Sequence, residues 1–302
     1  MRRTASVQVV PLAPKARTRN VATHQVPAPP KGAVSPLRKI AIVNHKGGVG
    51  KTCLSIHLGA AFAEMGYRTL LCDCDSQGDL SKLYLPNYKD LPHTMADIFA
   101  GSGVPTREII QPTAHKNLCV IPADIRLNAH DKTTGYHLDP KVTLLGEALG
   151  ECEHDFDIII FDCPPRPHLT GFAALVAATE VIVPVVPTRF AIESMASLHW
   201  ELDAVRERLN PSLRLQGYVL SLVKPRSATH QTYRQLLAAS LQAGPLLKTF
   251  VPEMAALDTA VNFGEPVTVY SPRSKSAAVI RAFAKELLAA DTVHHARKNA
   301  PA

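Results

Sequence analysis

Two lysines, Lys46 and Lys51, bracket a glycine-rich stretch, Lys46-Gly47-Gly48-Val49-Gly50-Lys51-Thr52. A turn of this kind between a strand and a helix aims backbone N–H groups and a helix N-terminus at one point, and such a point holds phosphate. Lys51 has the reach for β/γ-phosphates, and the Thr52 hydroxyl can ligate Mg²⁺. The common spacing G-x-x-x-x-G-K-[ST] places glycine at position 45, where this chain has His45 followed by a second lysine, Lys46. Two further segments offer carboxylates. Asp162 closes the apolar run Asp157-Ile158-Ile159-Ile160-Phe161, the position of a second Mg²⁺ partner beside a phosphate loop. Asp73 and Asp75 end the run Arg68-Thr69-Leu70-Leu71-Cys72 and precede Ser76-Gln77-Gly78. Hydrolysis of a nucleotide needs a water oriented in line with the γ-phosphate. Asp75, just past the strand end, is placed for that; Asp73 is placed to support the metal or the loop.

These groups act together only if a sheet brings their strand ends side by side. Apolar runs predict strands at 39–44, 68–73, 117–121, 157–162, 180–186 and 215–223, with shorter ones at 247–251 and 267–270. Helical spacing falls near 51–65, 141–151, 169–178, 190–209, 228–241 and 275–289. Near-continuous apolar strands alternating with helices predict an α/β fold: a doubly wound, mostly parallel sheet with helices on both faces. Ligands in such sheets bind at the carboxyl ends of the strands, where 45–52, 73–79 and 162–165 fall.

The chain of 302 residues is 46% hydrophobic and carries a formal charge of +7. The charge is unevenly placed. Residues 1–39 hold eight Lys and Arg and no Asp or Glu, which leaves 25 of the 33 basic residues against 26 acidic ones elsewhere. With six prolines up to Pro36, residues 1–37 read as a disordered basic arm. Two roles fit it: an electrostatic arm for nucleic acid or an acidic partner, or a solvated linker. Residues 38–290 form the folded domain and 291–302 a flexible tail. No apolar run approaches the roughly 20 residues of a membrane span, so the protein is expected to be soluble and cytoplasmic. The six cysteines show no C-x-x-C pair and read as buried apolar side chains in a reducing compartment.

The phosphate loop, Asp73-Cys74-Asp75-Ser76-Gln77-Gly78 and Ile160-Phe161-Asp162-Cys163-Pro164-Pro165 together resemble the ParA/Soj-type partition ATPases. These belong to the deviant-Walker-A group of P-loop ATPases that also includes MinD-like proteins. Val183-Pro184-Val185-Val186-Pro187, Phe250-Val251-Pro252, Gly264-Glu265-Pro266-Val267 and Tyr270-Ser271-Pro272-Arg273-Ser274-Lys275 extend the resemblance over about 38–290. It implies a cycle in which ATP and Mg²⁺ bind, two protomers form a sandwich dimer, the dimer binds DNA without sequence preference, and a ParB-like partner stimulates hydrolysis. The nucleoid is then its place in the cell. Lys46 matches the signature lysine that crosses to the partner protomer's phosphates. Residues Gly47 to Cys53 line the protomer's own nucleotide, Asp75 matches the water-positioning residue, and Pro252 matches a residue beside the adenine.

The chain departs from the family at Cys53, where a second threonine is frequent, and at Ser76, where proline is common. After Pro252 many chromosomal members carry arginines; here Glu253 and Ala256 stand. Arg226, Arg234, Lys248, Arg273, Lys275 and Arg281 are the remaining candidates for a DNA-facing basic surface. The last stretch, Ala289 to Ala302, has no apolar face, so membrane binding of the MinD kind is not expected. An alternative cargo is a protein assembly such as a chemotaxis array or a microcompartment. An iron–sulfur ATPase of the nitrogenase kind lacks its cysteine context here, and a bacterial tyrosine kinase lacks its terminal tyrosine cluster.

Overall fold

The computed structural model describes residues 37–130, 134–240 and 244–298. Seven strands are β1 (Arg38–Ile42), β2 (Thr69–Asp73), β3 (Gln111–Pro112), β4 (Leu118–Ile121), β5 (Ile158–Asp162), β6 (Glu180–Val185) and β7 (Arg214–Leu220). They form one sheet in the order β3-β4-β2-β5-β1-β6-β7. Only the two-residue β3 is antiparallel. The helices begin with α1 (Lys51–Glu64), α2 (Asp79–Tyr84), α3 (Met95–Ala100), α4 (Thr106–Ile109), α5 (Leu144–Gly150) and α6 (Leu169–Ala177). They continue with α7 (Phe190–Arg208), α8 (Ala228–Ser240), α9 (Ala255–Asn262), α10 (Val267–Tyr270) and α11 (Lys275–Lys298).

The apolar strands are buried on both faces, as their composition requires. Along β5, Ile158 and Ile160 pack with Phe62 of α1 and Phe283 of α11. Ile159 and Phe161 alternate onto the other face with Phe99, Leu145, Phe172 and Leu198 from α3, α5, α6 and α7. Helix α1 has no polar stripe because it is covered by β2, β5, α9, α10 and α11 and is buried nearly all round. Arg38, counted above with the basic arm, opens β1 instead. It is buried and paired with Glu180 of β6, and it donates to the Leu287 carbonyl of α11.

Two expectations fail locally. Residues 267–270, Val-Thr-Val-Tyr, form the helical turn α10 and not a strand. Their β-branched composition favours a strand, but Pro266 precedes the turn, Val267 and Thr268 are buried, and the Val267 N–H donates to His57 Nδ1 of α1 at 3.1 Å. Residues 247–251 run extended beside β7, with Leu247 and Val251 N–H donating to the carbonyls of Tyr218 and Leu220. Only isolated bridges form there, because Pro245 and Pro252 cannot donate and interrupt the ladder. Helix α11 runs to Lys298, beyond the expected boundary at 290. Residues 1–36 of the basic arm lie outside the described residues.

Candidate functional site

The register of the sheet builds the site. Ile42 pairs with Asp162 across β1 and β5, and Asp73 pairs with Asp162 across β2 and β5. The phosphate loop, Asp75 and Asp162 therefore leave one edge of the sheet as neighbours, although more than eighty residues separate β2 from β5 in sequence. Within the loop, Gly48 and Gly50 hold φ of 70° and 86°, a left-handed backbone that other residues rarely adopt. Gly50 is the N-cap of α1 and provides no side chain to its free N–H groups, which remain available to an anion. Val49 is buried, and its carbonyl accepts from Ser221 Oγ at 2.8 Å, tying the loop to the end of β7.

Lys51 is buried at the mouth of α1, and its ammonium donates to the Lys46 carbonyl at 3.2 Å. Burial lowers its pKa, opposed by the nearby carboxylates of Asp162 and Asp75. Asp162 accepts from Ser55 Oγ at 2.9 Å and from the Thr52 hydroxyl. Burial pushes its pKa up to about 7 despite those two donors. A carboxylate in that condition gains by meeting a cation, and with the Thr52 hydroxyl it makes a pair of hard oxygen donors suited to Mg²⁺. Among the described residues no cluster of three or more His, Cys, Asp or Glu could hold a metal alone. That suits a cation shared with nucleotide phosphates, as Mg²⁺ usually is.

Asp73 faces the other way. Its Oδ2 accepts from Ser81 N at 3.0 Å and Ser81 Oγ at 2.6 Å, and its Oδ1 accepts from Asp75 N at 3.2 Å. Burial, then the neighbouring Asp162, raises its pKa to about 8. These bonds tie Asp73 to the turn that carries Asp75 and to the start of α2. Asp75 is half-buried, with Oδ1 accepting from Gln77 N at 2.9 Å. The turn closes at Gly78, whose φ is 63° and where a Cβ would sit 2.9 Å from the Ala123 carbonyl.

Lys46 is half-buried, its N–H held by Asn44 Oδ1 at 2.9 Å. Its ammonium has no partner among the described residues. Pro252 bridges to Val223, just past β7. Beside it lies a cavity of about 280 Å³ lined by Lys224, Pro225, Arg226 and Glu253, in which Lys224 and Glu253 form an ion pair at 3.4 Å. Cys53 is partly buried, and burial raises its thiol pKa to about 12. The other five cysteines are buried, and burial raises every one of their thiols, so they are protonated apolar side chains.

The six basic candidates do not assemble in the same way. Arg226 lines the cavity next to Pro252. Arg234 lies over the Phe250 ring at 5.2 Å. Lys248 is anchored by its N–H on Glu286. Arg281 makes two contacts to Glu64 of α1, at 2.9 and 2.8 Å, and donates to the Pro272 carbonyl, so it clamps α11 to α1. Arg273 and Lys275, at the start of α11, stay exposed to solvent or nearly so. Sequence reasoning missed Asn44, Ser55, Ser81, Ser221 and Glu201. Ser55 could have been found, because it lies one helical turn after Lys51; the others follow only from tertiary contacts.

A strand, a phosphate loop and a helix, with a carboxylate at the end of the adjacent strand, define a P-loop nucleotide-binding domain whose ligands are ATP and Mg²⁺. A family model described as an AAA domain matches residues 37–215. The chain is 33% identical over 250 residues to the sporulation initiation inhibitor protein Soj of Bacillus subtilis, covering 83% of this chain and 98% of that protein. It is 30% identical over 262 residues to the chromosome partitioning protein ParA of Myxococcus xanthus, covering 86% and 91%. Among solved structures it resembles the cobyrinic acid a,c-diamide synthase of Mycobacterium smegmatis with bound ATP analog and magnesium. That match has a TM-score of 0.71 at 28% identity and covers 84% of this chain and 95% of that one. The chain belongs to the ParA/Soj family of partition ATPases, which are P-loop proteins.

Proposed function

We propose that this chain is an ATP-dependent dimerisation switch for chromosome or plasmid partitioning. Two ATP-bound protomers close on each other and bind DNA without sequence preference. They separate when ATP is hydrolysed to ADP and phosphate, a slow reaction stimulated by DNA and a ParB-like partner. The observation that carries this reading is the contrast between the two lysines of one loop. Lys51 is buried against its own Asp162 and serves its own nucleotide. Lys46 leaves the opposite end of the loop with an unpaired ammonium, placed to neutralise charge on a second nucleotide held by the partner protomer.

The other residues take roles that fit their geometry. Thr52 and Asp162 hold Mg²⁺, which when bound neutralises phosphate charge. Asp75 orients the attacking water, and Asp73 braces the turn that carries it. Pro252 and the neighbouring cavity take the adenine end of the nucleotide. Arg273 and Lys275 remain the basic residues best exposed for DNA backbone, with the arm 1–37 adding further charge, since phosphate contacts need cations and no base readout. Among the described residues no helix is long and apolar enough to cross a membrane, and we place the protein in the cytoplasm, on the nucleoid. The relatives named for chromosome partitioning favour a DNA cargo over a protein assembly.

The test follows oligomeric state, DNA retention and phosphate release with ATP and Mg²⁺ for wild type, Lys46→Ala and Asp75→Ala. Asp75→Ala should bind ATP, stay dimeric and retain DNA while losing turnover; hydrolysis at the wild-type rate overturns its water-positioning role. Lys46→Ala should lose turnover, and partner-stimulated hydrolysis in that variant would sink the cross-dimer role. Deleting 1–37 should weaken salt-sensitive DNA retention; unchanged retention removes the arm from the interface.

A further inference from the structure

The head of the phosphate loop is held at two successive residues, in two directions. Asn44 Nδ2 donates to the Pro184 carbonyl of β6 at 2.8 Å, while its Oδ1 holds the Lys46 N–H. His45 turns instead to α7, with Nε2 at 2.6 Å from Glu201 Oε2 and Nδ1 at 3.3 Å from Ser197 Oγ. Ser197 and Glu201 are four residues apart on α7, so both face the same ring. Glu201 is only 3% exposed. A carboxylate withdrawn from water is costly unless paired and hydrogen-bonded, so this contact is specific and not a surface accident.

The contact stands at the position where the common phosphate loop has glycine. Glycine has no side chain with which to anchor the loop to a helix; histidine does. We infer that His45 is a positioning residue: through Glu201 it fixes the backbone from which Lys46 departs, and so sets where the Lys46 ammonium meets the partner protomer's nucleotide. This inference rests on the cross-dimer role of Lys46. The far end of the loop has its own supports, Ser221 on Val49 and the Ser55–Asp162–Thr52 group behind Lys51. Loosening His45 therefore shifts the head of the loop at Lys46, which stays tethered through Asn44 and the Lys51 ammonium, more than it shifts Lys51 at the other end. Helix α7 becomes the lever, because any shift of Glu201 is transmitted one residue away from the lysine.

The experiment separates ATP affinity from turnover. Full-length wild type, His45→Ala, His45→Gln, Glu201→Ala, the double alanine variant and Lys46→Ala are compared for ATP binding and for kcat at saturating ATP, with folding checked by melting. His45→Ala and Glu201→Ala should bind ATP within about twofold of wild type yet lose roughly tenfold or more in kcat, since misplacement by about 1 Å costs up to 10²-fold. The double variant should be no worse than either single one, as expected for two ends of one contact. His45→Gln, whose amide reaches the place of Nε2, should recover to within about threefold. Equal losses of affinity and turnover in His45→Ala, with no rescue by glutamine, overturn the inference and make His45 a general support of the loop. If Lys46→Ala abolishes turnover while His45→Ala and Glu201→Ala keep it, the positioning role fails and the cross-dimer lysine stands. If Lys46→Ala itself keeps turnover, the cross-dimer reading fails and the positioning role with it. Should His45→Ala not fold, the same split read on Glu201→Ala and His45→Gln decides.

Discussion

At the carboxyl ends of β1, β2 and β5, residues from three distant segments converge on one point. From Arg226 to Arg281, six cations are spread over the surface without converging. The strand-end groups have no freedom, because parallel register sets Ile42, Asp162 and Asp73 side by side and each motif leaves its strand at a fixed residue. The surface cations are long side chains on helices and loops; some settle on the nearest partner, while Arg273 and Lys275 stay exposed. Arg281 takes Glu64, and Arg234 takes the Phe250 ring. A motif anchored to a strand end is thus a statement about position, whereas a set of surface charges is a statement about composition only.

The contrast can be broken first at Lys51. Lys51→Ala should weaken ATP binding by about 10- to 100-fold, the worth of a charge-assisted contact to phosphate, with the melting temperature without nucleotide little changed. Titration with a fluorescent ATP analogue checks it, and near-native affinity would make the strand-end site no more committed than the surface. Next is Gly78→Ala. The left-handed backbone and the close Ala123 carbonyl predict a loss of about 2 kcal/mol of stability, read by denaturant unfolding. Gly103→Ala is the control: it also has a positive φ but nothing near the added Cβ, so it should cost about half as much or less.

A third effect sharpens the comparison through pH. Asp162 and Asp73 have folded-state pKa values raised to about 7 and about 8. The folded state therefore keeps protons that the unfolded chain has lost, and stability without ligand falls as pH rises from about 4 towards 8. His57, held down to about 4 by burial, works the other way below about 6.5. Between pH 6.5 and 8 the carboxylates contribute a decline on the order of 1 to 2 kcal/mol for each group, and nearer pH 8.5 the buried thiols, also held protonated, add to it in the same direction. Thermal unfolding should show that decline, Asp162→Asn should reduce it, and Mg²⁺ with nucleotide should oppose it. A flat profile in wild type would mean that the two carboxylates are not confined as the fold implies.

The smallest effect lies at the surface. Arg281→Ala should cost less than about 1 kcal/mol, because the pair with Glu64 is partly exposed, and should leave DNA retention unchanged. Arg273→Ala with Lys275→Ala should lower DNA retention and flatten its salt dependence by about two phosphate contacts. Equal losses of DNA retention in both cases would erase the distinction between clamped and free cations.

Six of the strands were legible because residues buried on both faces of a parallel sheet read as unbroken apolar runs, as at Ile158 to Phe161. The short segments were less so. Val267 to Tyr270 has strand composition, but a four-residue segment obeys its neighbours, here Pro266 and His57, more than its own propensity. The small helices α2, α3 and α9 went unseen because six to eight residues give too little periodicity to separate from a loop. Within the site, Lys51, Thr52 and Asp162 could be read from spacing, whereas the role of Asp73 could not. The same carboxylate after a strand can face a metal or a loop, and the Ser81 contact that ties it to the loop comes from a later turn.

By itself, the order of residues determined that a phosphate is held after β1, since glycines that permit left-handed backbone and a following lysine and threonine act within a few bonds of one another. It determined equally that the strands form a parallel sheet, since apolar runs this continuous must be covered on both sides. Tertiary structure alone decided which helix grips the head of the loop, because His45 and Glu201 lie 156 residues apart and only the docking of α7 against α6 and that face of the core brings them to 2.6 Å. The same holds for every long-range polar contact described above. Local chemistry is written along the chain, but which buried charge meets which partner depends on the packing of elements that sequence separates.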